Sequence, residues 1–276
     1  MRPSEVLRRA SRYLEAHDVE SPRETAEVLL QHVLATDRAS LYARTEGLTS
    51  AEARAFGRAL CRRCTGAPVQ HVTGRQAFRS LELEVRPGVF VPRPETEVLV
   101  DVGLELVGRI ERPVVVDVGT GTGAVALSIK RACPAARVFA TDLASEAVEL
   151  AGVNAAALGL DVEILRGDLL SVLPADVANG VDLVVSNPPY VGVEEFDALP
   201  PEVRADPELA LLGGTALHGR LVTESPLWLR QGGALAVEIG AGQGPEAAAL
   251  FRDGGFLDVR VLPDLSRRDR IVAGRV

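Results

Sequence analysis

Asn187-Pro188-Pro189-Tyr190 closes the apolar, β-branched run Val181–Ser186, and its residue types are the ones in this chain best suited to chemistry. Each proline fixes its own φ and restricts the residue before it, so Asn187 and the Pro188 carbonyl are held as stiff acceptors at the end of a buried strand. Two convergent acceptors suit a substrate NH2 group, which donates both hydrogens and is then gripped in one orientation. An amide or aromatic amine is a poor nucleophile because its lone pair is delocalised into the adjacent π system, as in the peptide bond. Fixing both N–H directions favours a pyramidal nitrogen whose lone pair faces an electrophile, so that positioning and fixed dipoles supply much of the rate. Tyr190 adds a π face for a planar group or a cationic methyl donor. The plainer alternative is a proline-terminated strand running into a loop, but loops this stiff tend to carry function.

A second constellation lies upstream. Val114–Val118 reads as a strand that runs into Asp117-Val118-Gly119-Thr120-Gly121-Thr122-Gly123 and then a helix. Such a loop turns backbone N–H groups and close-approach glycines toward a nucleotide-like ligand. Alone it is ambiguous, because Gly119-x-Gly121-x-x-Ala124 also fits a relaxed dinucleotide fingerprint, and Asp142 lies about 20 residues on, where either kind of site holds ribose. The combination discriminates. Asp117, Asp142, Asp168 and Asn187 follow four successive strands and must emerge at one sheet edge. There Asp168 is placed to accept from an adenine amino group and Leu169 to offer an apolar contact. Taken singly, Asp142 or Asp168 also reads as a helix cap or turn residue.

The elements that position these residues follow from period and punctuation. Residues 4–66 are helical throughout, with Ser21-Pro22-Arg23-Glu24 and Thr49 with Glu52 as capping boxes, Gly66 as a stop, and Arg8, Arg9, Arg62 and Arg63 on a solvated face. From Val69 to Val91 the period changes to two, predicting a hairpin turned at Pro87-Gly88. Pro92–Glu97 opens a helix through Leu106. From Pro113 strands alternate with helices as in a doubly wound sheet: Val138–Thr141, Val162–Leu165 and Val181–Ser186, then, after the irregular stretch Val191–Gly214, a helix to Arg230, a strand Ala234–Ile239, a helix from Pro245, and a final pair near Asp258–Leu262 and Arg270–Ala273. The domains expected are therefore a helical domain over 1–67, a hairpin linker over 68–92 and a Rossmann-like α/β domain over 93–276.

Composition narrows the partners. A chain of 276 residues, 47% hydrophobic, builds a large domain plus a small one. No segment approaches the about 18 apolar residues of a membrane span, and Met1-Arg2-Pro3-Ser4-Glu5 lacks a secretory apolar core, so the expected location is the cytoplasm with no membrane partner. A net charge of -8 argues against a broad grip on nucleic acid. Cys61, Cys64 and Cys133 form no disulfide framework, and Cys61-Arg-Arg-Cys64 has metal-type spacing without a second pair, so no metal is expected. His71 and His218 read as structural.

These motifs resemble the S-adenosylmethionine-dependent methyltransferases. Phe90-Val-Pro-Arg-Pro-Glu-Thr-Glu97, Pro68-Val-Gln-His-Val-Thr-Gly74, Glu202-Val-Arg-Ala-Asp-Pro-Glu-Leu-Ala-Leu211 and the helical N-terminal region are similar to the peptide chain release factor glutamine methyltransferases, the HemK/PrmC family. The resemblance spans nearly the whole chain. It implies methylation of the side-chain amide nitrogen of the glutamine in the Gly-Gly-Gln motif of release factors, by a helical N-terminal domain, a β-hairpin and a methyltransferase domain; because so flexible a segment offers little contact area, the helical domain is expected to dock the substrate. It further implies that Gly119–Gly123 and Asp142 hold S-adenosylmethionine, that Asn187–Tyr190 hold the glutamine and that Phe90 walls the pocket. Two positions depart from the family pattern: Thr-Ala-Leu-His-Gly follows Gly214, and Arg267 stands where glycine is common. The rival readings are an adenine amino-group methyltransferase acting on nucleic acid, a non-catalytic S-adenosylmethionine-binding protein and, from the glycine loop alone, a nicotinamide oxidoreductase. The adenine enzyme would need a basic recognition surface and a base-flipping cavity. The expected reaction is direct in-line transfer, with neither a metal nor an obligatory general base.

Overall fold

The computed structural model describes residues 2–200 and 202–276, and contacts divide it into two units: Met1–Arg75 with Pro200–Ala205, and Gln76–Leu199 with Asp206–Val276. The first unit is built from α1 (Pro3–Glu15), α2 (Pro22–Leu34), α3 (Arg38–Ala43), α4 (Ser50–Cys64) and α5 (Val69–Thr73). Apolar residues converge from all five, with Leu7, Leu14, Leu29, Leu30, Leu41 and Phe56 at the centre and Val72 of α5 beside them. Thr49 caps α4 as expected: its hydroxyl accepts from the Glu52 amide at 3.2 Å, and the Glu52 carboxylate accepts from the Thr49 amide at 2.7 Å. Ser21 forms no such box. Its backbone is left-handed, with φ 46°, and its hydroxyl makes no cap bond. Nor do all the arginines lie on a solvated face, because Arg63 is buried and ion-paired to Glu202.

A two-stranded hairpin of β1 (Arg75–Phe78) and β2 (Leu81–Glu84) follows, all of it but Arg75 in the second unit. The period-two reading was too long at both ends. Residues 69–73 are helical, and the expected turn at Pro87-Gly88 is present but lies beyond the hairpin, whose two strands are joined by a turn at Arg79-Ser80. A tertiary bond holds that turn: the Arg79 amide, at φ 51°, donates to the Glu97 carboxylate at 2.7 Å. Beyond β2 the chain turns at Pro87-Gly88, where the Val89 amide donates to the Arg86 carbonyl at 3.3 Å, and a short 3-10 turn, Pro94–Thr96, precedes α6 (Glu97–Val107).

Then come β3 (Val114–Val118), α7 (Ala124–Ala132), β4 (Arg137–Asp142), α8 (Ser145–Leu158), β5 (Glu163–Arg166), β6 (Val181–Ser186), α9 (Ala216–Glu224), β7 (Leu229–Glu238), α10 (Gly244–Asp253), β8 (Leu257–Pro263) and β9 (Asp269–Arg275). The helix expected to reach Arg230 stops at Glu224, because Pro226 cannot continue it, and Arg230 lies in β7. The sheet order is β5-β4-β3-β6-β7-β9-β8, parallel from β5 to β7, with β9 antiparallel to both its neighbours. Inner strands are apolar on both faces: Val115, Leu183 and Val185 face one core with Leu99, Leu127 and Ile129, while Val116 and Val184 face another with Phe139, Leu235 and Phe251. The chain leaves β3 toward β4 on one side and returns to β6 on the other. That reversal opens a crevice at the carboxyl ends of β3 and β6, the place where doubly wound sheets bind ligands.

Candidate active site

The register sets the two predicted constellations side by side. Val118 pairs with Ser186 and with Thr141, so Gly119, Asn187 and Asp142 leave neighbouring strands at one level. The Ser186 hydroxyl donates to the Val118 carbonyl at 2.8 Å, and the amides of Gly119 and Thr120 donate to the Thr141 carbonyl at 2.8 and 3.0 Å.

Residues within the glycine loop divide into two kinds. Gly119 and Gly121 have φ of 72° and 57°, and a Cβ added to either would meet no atom within 4 Å, so the space above them is open. Asp142 reaches this space with its carboxylate already oriented, accepting from the Gly121 amide at 2.9 Å and from the Ala144 amide at 3.0 Å. Each carboxylate oxygen keeps a lone pair for a ligand hydroxyl. Burial raises the Asp142 pKa, opposed by these amides. Asp117, Thr120, Thr122 and Gly123 instead build the loop from beneath. Asp117 is buried and accepts from the Thr120 hydroxyl at 2.7 Å and the Ala126 amide at 3.1 Å, and burial pushes its pKa up to about 6. The Thr122 carbonyl accepts from Asn154, and a Cβ on Gly123 would stand 2.9 Å from Leu127, so α7 packs against it closely. Asp117 therefore engages one amide of the first turn of α7, that of Ala126, where a pyrophosphate would have to compete for it. The open glycines and the oriented Asp142 fit a nucleoside that carries no phosphate.

Asp168 and Leu169 differ from expectation. Both Asp168 oxygens accept from Arg220 at 3.0 Å in a bidentate, exposed pair, so an adenine amino group would have to share them. Leu169 has φ 49°, and its side chain is buried in the core with Leu170 and Leu173, leaving little of it for a ring. Leu143, directly after Asp142, is a large apolar side chain left exposed at this edge.

The tip Asn187–Tyr190 is clasped from several directions. Asn187 Nδ2 donates to the buried Thr96 hydroxyl at 3.1 Å, which leaves Oδ1 as an acceptor for a ligand. Among the described residues no donor bonds the Pro188 carbonyl. Gly213 passes so close that a Cβ there would fall 2.3 Å from the Pro189 carbonyl oxygen. Gln243, its own Oε1 engaged by the Gly240 amide at 2.8 Å, donates from Nε2 to the Tyr190 carbonyl at 3.0 Å. The Tyr190 hydroxyl donates to Glu238 Oε1 at 3.3 Å, and burial is the main reason its pKa rises. Phe90 is half-buried, with the Arg93 guanidinium 5.4 Å from its ring centre. Asp206 pins this segment, pairing with Arg93 and accepting from the Val91 amide at 3.2 Å.

Three functional-site neighbours escaped sequence reasoning: Thr96, Glu238 and Arg270. Glu238 ends β7 one residue beyond the partner of Ser186, and its side chain is 2% exposed. Oε2 has no well-formed bond of its own. The Thr96 hydroxyl and Arg270 favour the charged carboxylate, yet burial outweighs them and pushes the pKa up to about 7. His218 is structural, as expected, with Nε2 bonded to the Glu238 carbonyl at 2.9 Å and a pKa lowered by burial. The departure after Gly214 thus supplies the prop beneath Glu238. Arg267 adopts φ 61°, the conformation glycine prefers, in a turn closed by its amide on the Asp264 carbonyl.

A doubly wound sheet with an open glycine loop, an acid after β4 and an Asn-Pro-Pro-Tyr tip after β6 defines a Rossmann-like methyltransferase. Two family models match the chain: the PrmC N-terminal domain over residues 5–74 and the methyltransferase small domain over residues 82–199. The release factor glutamine methyltransferase of Deinococcus radiodurans is 41% identical over 280 residues, covering 100% of this chain and 99% of that protein. Its counterpart from Moorella thermoacetica is 42% identical, covering 96% and 95%. The chain belongs to the release factor glutamine methyltransferase family. A methyltransferase crystal structure from Pyrococcus furiosus shares the fold, with TM-score 0.53 at 18% identity over 72% of this chain and 90% of that one. No helix among the described residues is long and apolar enough to cross a membrane.

Proposed function

We propose that the chain transfers a methyl group from S-adenosylmethionine to the side-chain amide nitrogen of the glutamine in the Gly-Gly-Gln motif of peptide chain release factors. The observation that carries this reading is the orientation of Asn187: with Nδ2 engaged by Thr96, Oδ1 and the Pro188 carbonyl form a pair of acceptors on stiff backbone. They accept both hydrogens of the glutamine NH2 and turn its lone pair out of conjugation. S-adenosylmethionine, when bound, supplies an electrophilic methyl group on a positively charged sulfur.

Asp142 accepts from the ribose hydroxyls, and the open faces of Gly119 and Gly121 admit the nucleoside against the backbone. Leu143 gives the base an apolar neighbour. Asp117, Thr120, Thr122 and Gly123 keep the loop in shape. The amide nitrogen becomes strongly acidic once alkylated, so its proton leaves to water and no side-chain base is needed. Glutamine in a flexible loop offers little contact area, so recognition of a whole release factor draws on a wider surface, to which the helical unit contributes as a docking element.

The test is incubation of the full chain with methyl-labelled S-adenosylmethionine and a panel of release factors, ribosomal proteins and DNA, followed by mapping of the label. Label confined to the Gly-Gly-Gln glutamine is expected. Label on adenine, or none on the release factors, overturns the reading.

A further inference from the structure

Asparagine can serve as the acceptor only if its amide is the right way round. A side-chain amide presents one oxygen and one NH2 group, and nothing in Asn187 itself decides which of them faces the substrate. If the group were flipped, Nδ2 would meet the substrate NH2 donor to donor. Something outside the motif has to break this symmetry.

Thr96 is the neighbour placed to do so. Its hydroxyl is buried and lies 3.1 Å from Asn187 Nδ2. A hydroxyl carries one proton and can both donate and accept, so by itself it would tolerate either orientation of the amide. What removes that freedom is Glu238, buried at the end of the adjacent strand β7, with one oxygen bonded by Tyr190 and the other lacking a well-formed partner. The Thr96 hydroxyl favours the charged form of Glu238, and once Glu238 is ionised its oxygen short of donors takes the Thr96 proton, because leaving it unsatisfied is costly. Thr96 is then left with lone pairs only, and the group that Asn187 turns toward it must be the NH2.

We infer that Thr96 is a positioning residue: its hydroxyl, committed to Glu238, selects the Asn187 rotamer that presents Oδ1 to the substrate amide. The inference rests on the reading of Asn187 as the acceptor of the glutamine NH2. Thr96 touches neither substrate nor reacting atoms and acts through Asn187. The lock spans three elements: the 3-10 turn before α6, the tip after β6, and the end of β7.

The experiment compares Thr96→Val, Thr96→Ser and Asn187→Ala, alone and with Thr96→Val added to Asn187→Ala, in the full chain. The readouts are methyl transfer to release factor under saturating conditions, S-adenosylhomocysteine affinity and thermal midpoint. Thr96→Val keeps the shape and removes the hydroxyl, so kcat should fall about ten- to fiftyfold while cofactor affinity stays within about twofold. Thr96→Ser should recover to within about threefold of the parent. In the Asn187→Ala background Thr96→Val should cost less than about twofold, because no amide is left to orient; a packing role would cost the same in both backgrounds. Should Thr96→Val reduce the thermal midpoint too far for assay, Glu238→Gln is the second probe: a glutamine in place of the carboxylate no longer commits the hydroxyl, and kcat should fall at unchanged cofactor affinity. Full activity of Thr96→Val or Glu238→Gln, or equal losses in the two backgrounds, overturns the inference. Near-normal turnover of Asn187→Ala overturns the underlying reading instead, which keeps the two failures apart.

Discussion

The two halves of the crevice are held in opposite ways. On the β3–β4 side the shape is local: Thr120 and Ala126 both donate to Asp117 within nine residues, and Asp142 lies one strand on. On the β6 side almost every hold on the tip comes from far along the chain. Asn187 reaches Thr96 across 91 residues, Tyr190 reaches Glu238 across 48, and Gly213 and Gln243 close in from two more elements. The contrast suits the two tasks proposed for them. A loop that has only to admit a nucleoside can be specified by glycines and one acid, whereas an acceptor pair meant to face a substrate amide needs its hydrogen-bond directions set by independent neighbours.

The largest effect should come from the distantly held side. Asn187→Ala removes a positioned hydrogen-bonding group, which commonly costs about 3 kcal/mol in the transition state, so methyl transfer should fall by at least about a hundredfold. Cofactor affinity, proposed to be set on the other side of the crevice, should stay within about tenfold. If both quantities fell together in calorimetry and single-turnover assays, the division of the crevice into two separately built halves would be lost.

Asp142→Ala probes the local side and should show the reverse pattern. It removes the acceptor expected for ribose and releases the Gly121 and Ala144 amides, at a cost of about 1 to 3 kcal/mol in binding. Saturating cofactor should restore most of the rate. Unchanged S-adenosylmethionine affinity in this variant contradicts the assignment.

This contrast also accounts for what could be read from the chain alone. The strands, the glycine loop and the acids at one edge were legible because each is written in contiguous residues: β-branched runs, glycines at fixed offsets and an acid at a strand end. Thr96 and Glu238 carried no such signal; one sits inside a proline-bounded stretch that reads as a helix start, and the other ends an apolar strand. The hairpin turn was misplaced for a related reason. Arg79-Ser80 has neither glycine nor proline nor Asn or Asp to mark it, and a bond from the Arg79 amide to Glu97, 18 residues away, holds it. Asp168 was correctly placed at the edge, but Arg220, 52 residues on, occupies it. Ser21 had the composition of a cap without its backbone.

Protonation sharpens the comparison further. Glu238 carries a pKa of about 7 against an ordinary 4.5, with Arg270, Thr96 and Tyr190 favouring the charge, burial opposing it most strongly and Glu95 adding to the opposition. Between those values the folded chain binds a proton that the unfolded chain has lost. Stability from this group is therefore fully present below about pH 4.5 and declines as pH rises through about 7, by at most about 3 kcal/mol. Asp117, raised to about 6, has the same sign over a lower range. Thermal midpoints of the parent should fall from pH 5 to pH 8, and Glu238→Gln should flatten the upper part of that decline. An identical slope in the variant would mean that another group sets it.

The smallest effect tests whether a conformation written in the backbone alone can be read without distant partners. Arg267 sits at φ 61° in the β8–β9 turn, where the Asp264 carboxylate accepts from the Ser266 and Arg268 amides at 2.8 and 3.1 Å. A side chain in the left-handed region costs on the order of 1 kcal/mol, and glycine removes that cost while giving back part of it as unfolded-state entropy. Arg267→Gly should therefore gain about 0.5 kcal/mol, a rise of roughly 1 to 2 °C in thermal midpoint for a chain of this size. Arg267→Ala is the control, since alanine keeps the Cβ and with it the strain, so it should gain nothing. Calorimetric scans of the pair decide the matter. Equal rises for glycine and alanine would assign the effect to the guanidinium, and the backbone would no longer explain why glycine suits this position.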